Sequence, residues 1–103
     1  MIKLTYKDKT YSLKYTRESV KQMESTGFNI NELEKKPMTM IPAMFYGAFL
    51  ALNRGVKRDL VDEIWKEIPN KNDMINALAE MYAETVTSLI DDNTEGNVVW
   101  EVE

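Results

Sequence analysis

The chain has 103 residues and a formal net charge of −4, with 44% hydrophobic and 29% charged residues. These values are typical of one globular domain with a single core and exclude a disordered chain. A domain of this size buries only about 60 to 70% of its unfolded surface, so self-association is compatible with its small core. The absence of cysteine excludes disulfides and thiolate metal sites.

The N terminus and the longest apolar stretch both argue against export or membrane insertion. Met1–Tyr6 alternates apolar and polar residues, whereas a secretory signal has a basic start followed by an apolar run. Met40–Leu52 is shorter than the roughly 20 residues needed to cross a bilayer, and it contains Pro42 and Gly47. We therefore expect a cytosolic protein without a membrane span.

Two segments near the N terminus have the period-2 pattern of half-buried strands. Apolar and polar residues alternate over residues 2–6 and again over 11–15. A two-residue turn at Asp8-Lys9 would place the apolar side chains of both segments on one face. The sequence therefore predicts a β-hairpin over residues 2–15.

Capping signals delimit three helices after the hairpin. Thr16 precedes the first predicted helix, and Gly27 is its expected end. Pro37 is expected to end a short second helix, and Thr39 to cap the third, with Pro42 in its first turn. The third helix is apolar on all sides, which indicates a central position in the core. The predicted spans are 17–27, 31–36 and 40–54.

Two amphipathic helices are predicted next, at 58–68 and 72–90, and Leu89 belongs to the apolar stripe of the second. The predicted fold is mainly α (α+β): an N-terminal hairpin followed by four to five helices packed around a central apolar helix. We expect a single domain over 1–97 and a tail over 98–103, which is a strand or disordered. Hereafter, "the tail" means residues 98–103.

The tail alternates in the same way as the hairpin strands. Its apolar side is formed by Val98, Trp100 and Val102, and its acidic side by Glu101 and Glu103. These three apolar residues are candidate protein-binding residues, and Trp100 is the expected interface anchor.

The predicted hairpin register brings two lysines together. Pairing Tyr6 with Tyr11 places Lys3 opposite Lys14 on the outer face, and like charges opposite one another are unfavourable unless an acidic group lies nearby. Lys3 and Lys14 are therefore candidate protein-binding residues, and the acidic tail is a candidate added strand. The strand comes from the same chain or from a neighbouring copy. The sequence supports an alternative equally well, in which the tail is disordered and the two lysines are solvated.

The sequence contains no histidine and no cysteine, so the commonest general bases, nucleophiles and transition-metal ligands are missing. No Gly-rich phosphate loop or nucleophile elbow is present. The acidic residues are spread along the polar faces of the predicted helices. We therefore predict a protein that is not an enzyme and has no catalytic residues, cofactor or metal.

The segment Asp91–Gly96 begins like a calcium-binding EF-hand loop, with oxygen ligands at its first, third and fifth positions and glycine at the sixth. The twelfth position of such a loop needs a bidentate glutamate. Val102 occupies that position, so the sequence predicts an acidic loop without a calcium site.

Charge is distributed unevenly along the chain. Residues 1–21 carry six Lys or Arg and two acids, whereas residues 22–103 carry seven Lys or Arg and fifteen acids. The basic hairpin face, with Lys3, Lys14 and Arg17, supports an alternative function as a small regulatory nucleic-acid-binding protein. The acidity of the chain as a whole opposes this alternative.

Three segments, Leu4–Tyr6, Lys9–Arg17 and Met23–Gly27, resemble the opening of tail assembly chaperones from long-tailed phages and prophages of Gram-positive bacteria. The later order of a short helix, an apolar helix and two amphipathic helices is similar too. The chain departs from this pattern in its hairpin turn, where related sequences often have glycine and this one has Lys7–Lys9.

The resemblance implies a non-structural helper in the host bacterial cytoplasm. Such a protein binds the tape measure protein of the phage, keeps it soluble, and recruits subunits of the phage tail tube. It is displaced when the phage tail is finished. Proteins of this kind commonly exist in a short form and a frameshift-extended form with the same N-terminal part. The resemblance assigns no binding residues.

Overall fold

The alternating N-terminal residues form a two-stranded antiparallel sheet in the computed structural model, which describes residues 1–91 and 96–103. Strand β1 spans Ile2–Tyr6 and strand β2 spans Lys9–Leu13. The predicted hairpin is confirmed, although its second strand ends at Leu13 and not at residue 15. Most of the loop predicted over 91–97 lies outside the described residues.

The predicted hairpin register is wrong by two residues. The turn is Lys7-Asp8, and Lys3 consequently pairs with Ser12 instead of Lys14. Lys7 and Asp8 have positive φ angles of 48° and 64°, as a tight hairpin turn requires. A shift of two residues leaves every side chain on its original face, so the alternating pattern could not distinguish the two registers.

Within the described residues, four α-helices follow the hairpin, so the chain has an α+β fold. A single 3₁₀ turn, Ile30–Glu32, stands where a short helix over 31–36 was predicted, and the Asn29 side chain accepts a hydrogen bond from the Asn31 amide at 2.9 Å. The helices are α1 Arg17–Ser25, α2 Pro37–Phe49, α3 Arg58–Glu67 and α4 Lys71–Thr87.

Helix α1 begins with a reciprocal pair of cap hydrogen bonds. The Thr16 hydroxyl oxygen accepts from the Ser19 amide at 3.0 Å, and the Ser19 hydroxyl oxygen accepts from the Thr16 amide at 2.9 Å. The predicted cap at Thr16 is therefore confirmed. The chain leaves the helix through Gly27, which has a φ of +100°, and then buries Phe28.

Helix α2 begins earlier and ends earlier than predicted. Pro37 is its first residue, so the prediction that Pro37 ends a helix and Thr39 caps the next one is wrong. Proline lacks an amide hydrogen, and at the first helical position that hydrogen would have no partner within the helix, so proline is favoured there. Pro42 lies inside the helix and not in its first turn as predicted, and the last residue is Phe49 instead of residue 54.

The predicted central position of α2 is confirmed, because it packs against α1, α3, α4 and β2. Phe45 lies edge-on to Phe49, with ring centroids 5.1 Å apart, and its centroid lies 4.9 Å from that of Trp65 in α3. Four α2 side chains are completely buried: Met44, Phe45, Ala48 and Phe49. The hairpin and the helices therefore share one core built around α2.

Candidate protein-binding site

Large hydrophobic side chains that remain exposed are concentrated in the C-terminal part of the chain. Elsewhere in the described residues they are limited to Met1, Met38 and Leu52. Exposed patches of apolar side chains commonly mark interaction sites in soluble proteins. The C-terminal set comprises Val86, Leu89, Ile90, Val98, Val99, Trp100 and Val102.

The end of α4 is fixed against the beginning of α1. The Arg17 guanidinium donates hydrogen bonds to the Ser88 hydroxyl and to the Ser88 backbone carbonyl. The Thr85 hydroxyl lies 3.4 Å from the Tyr15 carbonyl oxygen. These contacts hold the two helices side by side and leave a groove between them, which we call the α1–α4 groove.

The α1–α4 groove has an apolar floor and a charged rim. Val20, Val86 and Leu89 form the floor, and Val86 and Leu89 are 46% and 69% exposed. The charged residues that line it alternate in sign along α1: Arg17, Glu18, Lys21 and Glu24. Such a surface suits the apolar side of an amphipathic helix, whose flanking charges of either sign find partners at the rim.

The two edges of the hairpin differ in their backbone contacts. At the β2 edge, the Asn53 side chain donates to the Ser12 carbonyl oxygen at 2.8 Å, and the Lys14 amide donates to the Ala48 carbonyl oxygen at 3.0 Å. The C-terminal end of α2 therefore covers the β2 edge. The β1 edge has no such backbone hydrogen bond within the described residues.

A second groove runs beside β1. Leu4, Thr5 and Tyr6 line it from the strand, and the other side is formed by the end of α3 and the start of α4: Ile64, Glu67, Ile68, Pro69 and Met74. The Tyr6 hydroxyl donates to a carboxylate oxygen of Glu63 at 2.8 Å, and this hydrogen bond raises the pKa of Tyr6 above its ordinary value. We call this feature the β1 groove.

A family model described as a domain of unknown function, DUF5055, matches residues 1–103. The chain belongs to this family. No curated protein and no solved structure matches the chain. Among the helices of the described residues, none is long and apolar enough to cross a membrane.

The candidate residues predicted from the sequence lie on separate surfaces of this family member. Lys3 is exposed on the outer face of the hairpin, and Lys14 is half-buried beyond the end of β2. Val98, Trp100 and Val102 are about four-fifths exposed. Because residues 96–103 contain no strand, the added strand is not formed within this chain.

Two parts of the site were not identified from the sequence. The exposed residues at the end of α4 were missed because the helix was predicted to continue to residue 90, with Leu89 on its apolar stripe. The helix ends at Thr87, and Leu89 lies exposed in the turn that follows. The difference between the two hairpin edges was missed because it depends on where α2 ends. Of the three basic residues proposed to bind nucleic acid, Lys3, Lys14 and Arg17, the last already uses its guanidinium group in hydrogen bonds to Ser88.

Proposed function

We propose that this chain is a non-catalytic tail assembly chaperone, which binds the tape measure protein and recruits tail tube subunits in the bacterial cytoplasm. The observation that carries the proposal is the apolar floor of the α1–α4 groove, formed by the buried Val20 and the exposed Val86 and Leu89. The resemblance of its N-terminal segments to such chaperones supplies the identity of the partners.

The groove suits a helical segment of the partner. An amphipathic helix binds by laying apolar side chains spaced three and four residues apart into a hydrophobic groove between helices. The tape measure protein is expected to be a long coiled coil. Its apolar stripe must be shielded from water until the phage tail assembles. Binding in the α1–α4 groove would shield that stripe from water and from other copies, which is how a chaperone keeps its partner soluble.

The rim supplies orientation. Arg17 and Lys21 carry positive charge and Glu18 and Glu24 negative charge along one side of the groove. Charged groups at the margin of an interface select the register and steer association more than they strengthen it. We therefore expect rim substitutions to change the rate and salt dependence of association, and floor substitutions to change the affinity.

Co-expression with a tape measure protein, the partner that the resemblance implies, tests the proposal directly. The complex is purified, and its affinity is measured by calorimetry for the wild type, Leu89→Asp and Leu52→Asp. Leu52 is a matched control because it is 50% exposed and lies outside the groove. We expect Leu89→Asp to weaken binding at least tenfold, or about 1.4 kcal/mol, because it places a charge on the apolar floor, where the apolar side chains of the partner would lie.

Equal affinities for wild type and Leu89→Asp would exclude the groove, and the absence of any complex would exclude the chaperone function. Salt-sensitive binding to duplex DNA or RNA, lost in Lys3→Glu, would support the nucleic-acid alternative instead. Circular dichroism of each variant verifies that the fold is retained.

A further inference from the structure

We infer that the tail of one copy of this chain adds as a third strand to the β1 edge of a second copy. The occupant of this edge is therefore another copy of the same chain. This self-association goes beyond the proposed chaperone function and does not depend on it. Four observations support it: the open backbone groups of β1, the covered β2 edge, the pattern of the tail, and the charges on both.

The first observation is the hydrogen-bonding pattern of the hairpin. Tyr6 and Lys9 flank the two-residue turn and therefore form a hydrogen-bonded pair, and such pairs alternate with non-bonded pairs along an antiparallel ladder. Lys3 and Thr5 belong to the non-bonded pairs, so their amide and carbonyl groups point away from β2. Ser12, the partner of Lys3, directs its carbonyl oxygen outwards to Asn53, which agrees with this pattern.

The second observation is that only one edge of the hairpin is covered within the described residues. The end of α2 covers β2 through the Ser12 and Lys14 backbone groups. The corresponding groups of Lys3 and Thr5 have no backbone partner there. A strand edge with unpaired amide and carbonyl groups is a template for pairing with another extended chain, so addition is expected at β1 and not at β2.

The third observation is the match between the tail and β1. On β1, the side chains that face the core are Ile2, Leu4 and Tyr6, all half-buried and packed against it. An added strand continues this face, and the apolar side of the tail would lie beside these residues. The β1 groove has a volume of about 260 Å³, well above the roughly 30 Å³ share of one water molecule. It therefore has room for part of Trp100.

The fourth observation is charge. With its apolar side towards the core, the tail places Glu101 and Glu103 on the outer face of the sheet, where Lys3 is exposed. Opposite charges on neighbouring strands contribute roughly 0.2 to 1 kcal/mol per pair relative to alanines. The acidic side of the tail is therefore complementary to the outer face of the hairpin.

A second copy is the occupant because the tail is exposed and forms no strand in its own chain. Trp100 is 78% exposed and Val99 is 97% exposed, and residues 96–103 form no strand with their own β1. Reciprocal exchange between two copies pairs both tails and both β1 edges in a closed, two-fold symmetric dimer. Both tails and both β1 edges are then paired, so the exchange is complete with two copies.

The test measures the oligomeric state of the purified full chain by sedimentation across a range of concentrations. Thr5→Pro removes an outward amide from the β1 edge, and Thr10→Pro is its matched control because Thr10 is the partner of Thr5 on β2. Both variants lose the same hydrogen bond between the two threonine hydroxyls, 3.1 Å long in the wild type. We expect Thr5→Pro to weaken dimerisation by about tenfold or more, and Thr10→Pro to leave it unchanged.

A mixing experiment separates the two halves of the interface. Trp100→Pro disables the tail but keeps the β1 edge, whereas Thr5→Pro disables the edge but keeps the tail. At a concentration where each variant alone is monomeric, an equimolar mixture is expected to form a heterodimer through one intact tail and one intact edge. Circular dichroism establishes that both variants are folded.

Amide hydrogen exchange tests the pairing of the tail with β1 independently. We expect protection of residues 98–102 and of the Lys3 and Thr5 amides only at concentrations where the dimer forms. A wild-type chain that stays monomeric, a dimer equally sensitive to Thr10→Pro, or no heterodimer in the mixture would overturn the inference. Protection of the tail in the monomer would assign the strand to its own chain and overturn it as well.

Discussion

The Tyr15 hydroxyl donates a hydrogen bond of 2.6 Å to the backbone carbonyl oxygen of Met44 inside the core. Tyr15 follows β2, and Met44 lies in the middle of α2, so this bond joins the hairpin to the central helix. The Tyr15 ring also packs edge-on against Tyr82 of α4, with centroids 5.4 Å apart. One side chain therefore connects three elements of the fold.

Replacing Tyr15 with phenylalanine is expected to lower the free energy of unfolding by about 1 kcal/mol, because the ring is kept and one buried hydrogen bond is lost. Chemical denaturation measures this change. Tyr82→Phe is the control, since the Tyr82 hydroxyl makes no hydrogen bond within the described residues. If both variants lose the same free energy of unfolding, the hydrogen bond to Met44 does not contribute to stability.

Stability is expected to fall at alkaline pH because of the same residue. Burial raises the pKa of Tyr15 far above its ordinary value of about 10. Below about pH 10 the hydroxyl is protonated in both states. Above that pH the unfolded tyrosine ionises while the folded one stays protonated, so the free energy of unfolding decreases by about 1.4 kcal/mol per pH unit.

Denaturation of wild type and Tyr15→Phe at a series of pH values isolates this contribution, because the remaining titratable groups are common to both. The difference in stability between the two proteins should shrink as the pH rises above about 10, since only the wild type loses this contribution. Parallel pH profiles would contradict the assignment. Tyr82, whose pKa is also raised by burial, contributes equally to both proteins.

Gly47 of α2 lies against the side chain of Met23 in α1. A Cβ atom at this position would clash with the end of the buried Met23 side chain, which would have to shift to make room for it. Alanine is normally favoured over glycine inside a helix by about 1 kcal/mol. We nevertheless expect Gly47→Ala to destabilise the protein by about 1 kcal/mol, the lower end of the usual effect of overpacking a core, because the flexible end of Met23 relieves part of the clash.

A double-mutant cycle tests this explanation. In the background of Met23→Ala, which removes the clashing atoms, Gly47→Ala should be neutral or stabilising. A cost of the same size in both backgrounds would mean that Met23 is not the cause. Thermal unfolding monitored by circular dichroism is sufficient for all four proteins.

The hairpin turn offers a stabilising substitution. Asp8 has a φ of 64°, in the left-handed region that favours glycine, and tight two-residue turns prefer glycine at their second position. Asp8→Gly is therefore expected to raise the free energy of unfolding by about 0.5 to 1 kcal/mol. Lys9→Gly, one residue later in β2, should lower it by a similar amount, because glycine weakens a strand interior. Loss of stability in Asp8→Gly would contradict the turn geometry.

The register of the hairpin shows where prediction from sequence stops. Alternation identified both strands and the face that each side chain occupies, because the side-chain period of a strand is two. The same period makes registers two residues apart equivalent in pattern. The turn at Lys7-Asp8 decided between them, and its residues gave a weak signal because lysine rarely has a positive φ.

Helix α2 shows a similar limit in predicting where a helix begins and ends. Its uniform apolar composition was sufficient to predict a central helix, since only a helix packed on several sides buries every face. Its first residue was not predictable from Pro37 alone, because proline is compatible both with the end of one helix and with the first turn of the next. Tertiary packing resolved the choice.

By itself, the sequence determined the hairpin, the order of the helices, the central position of α2 and the alternation of the tail, because each is encoded in local periodicity and capping. Only the tertiary structure decided which surfaces stay open. Within the described residues, the end of α2 covers β2 and leaves β1 free, and the turn that follows α4 leaves Leu89 exposed. Both depend on how elements distant in sequence are positioned, which no local pattern records.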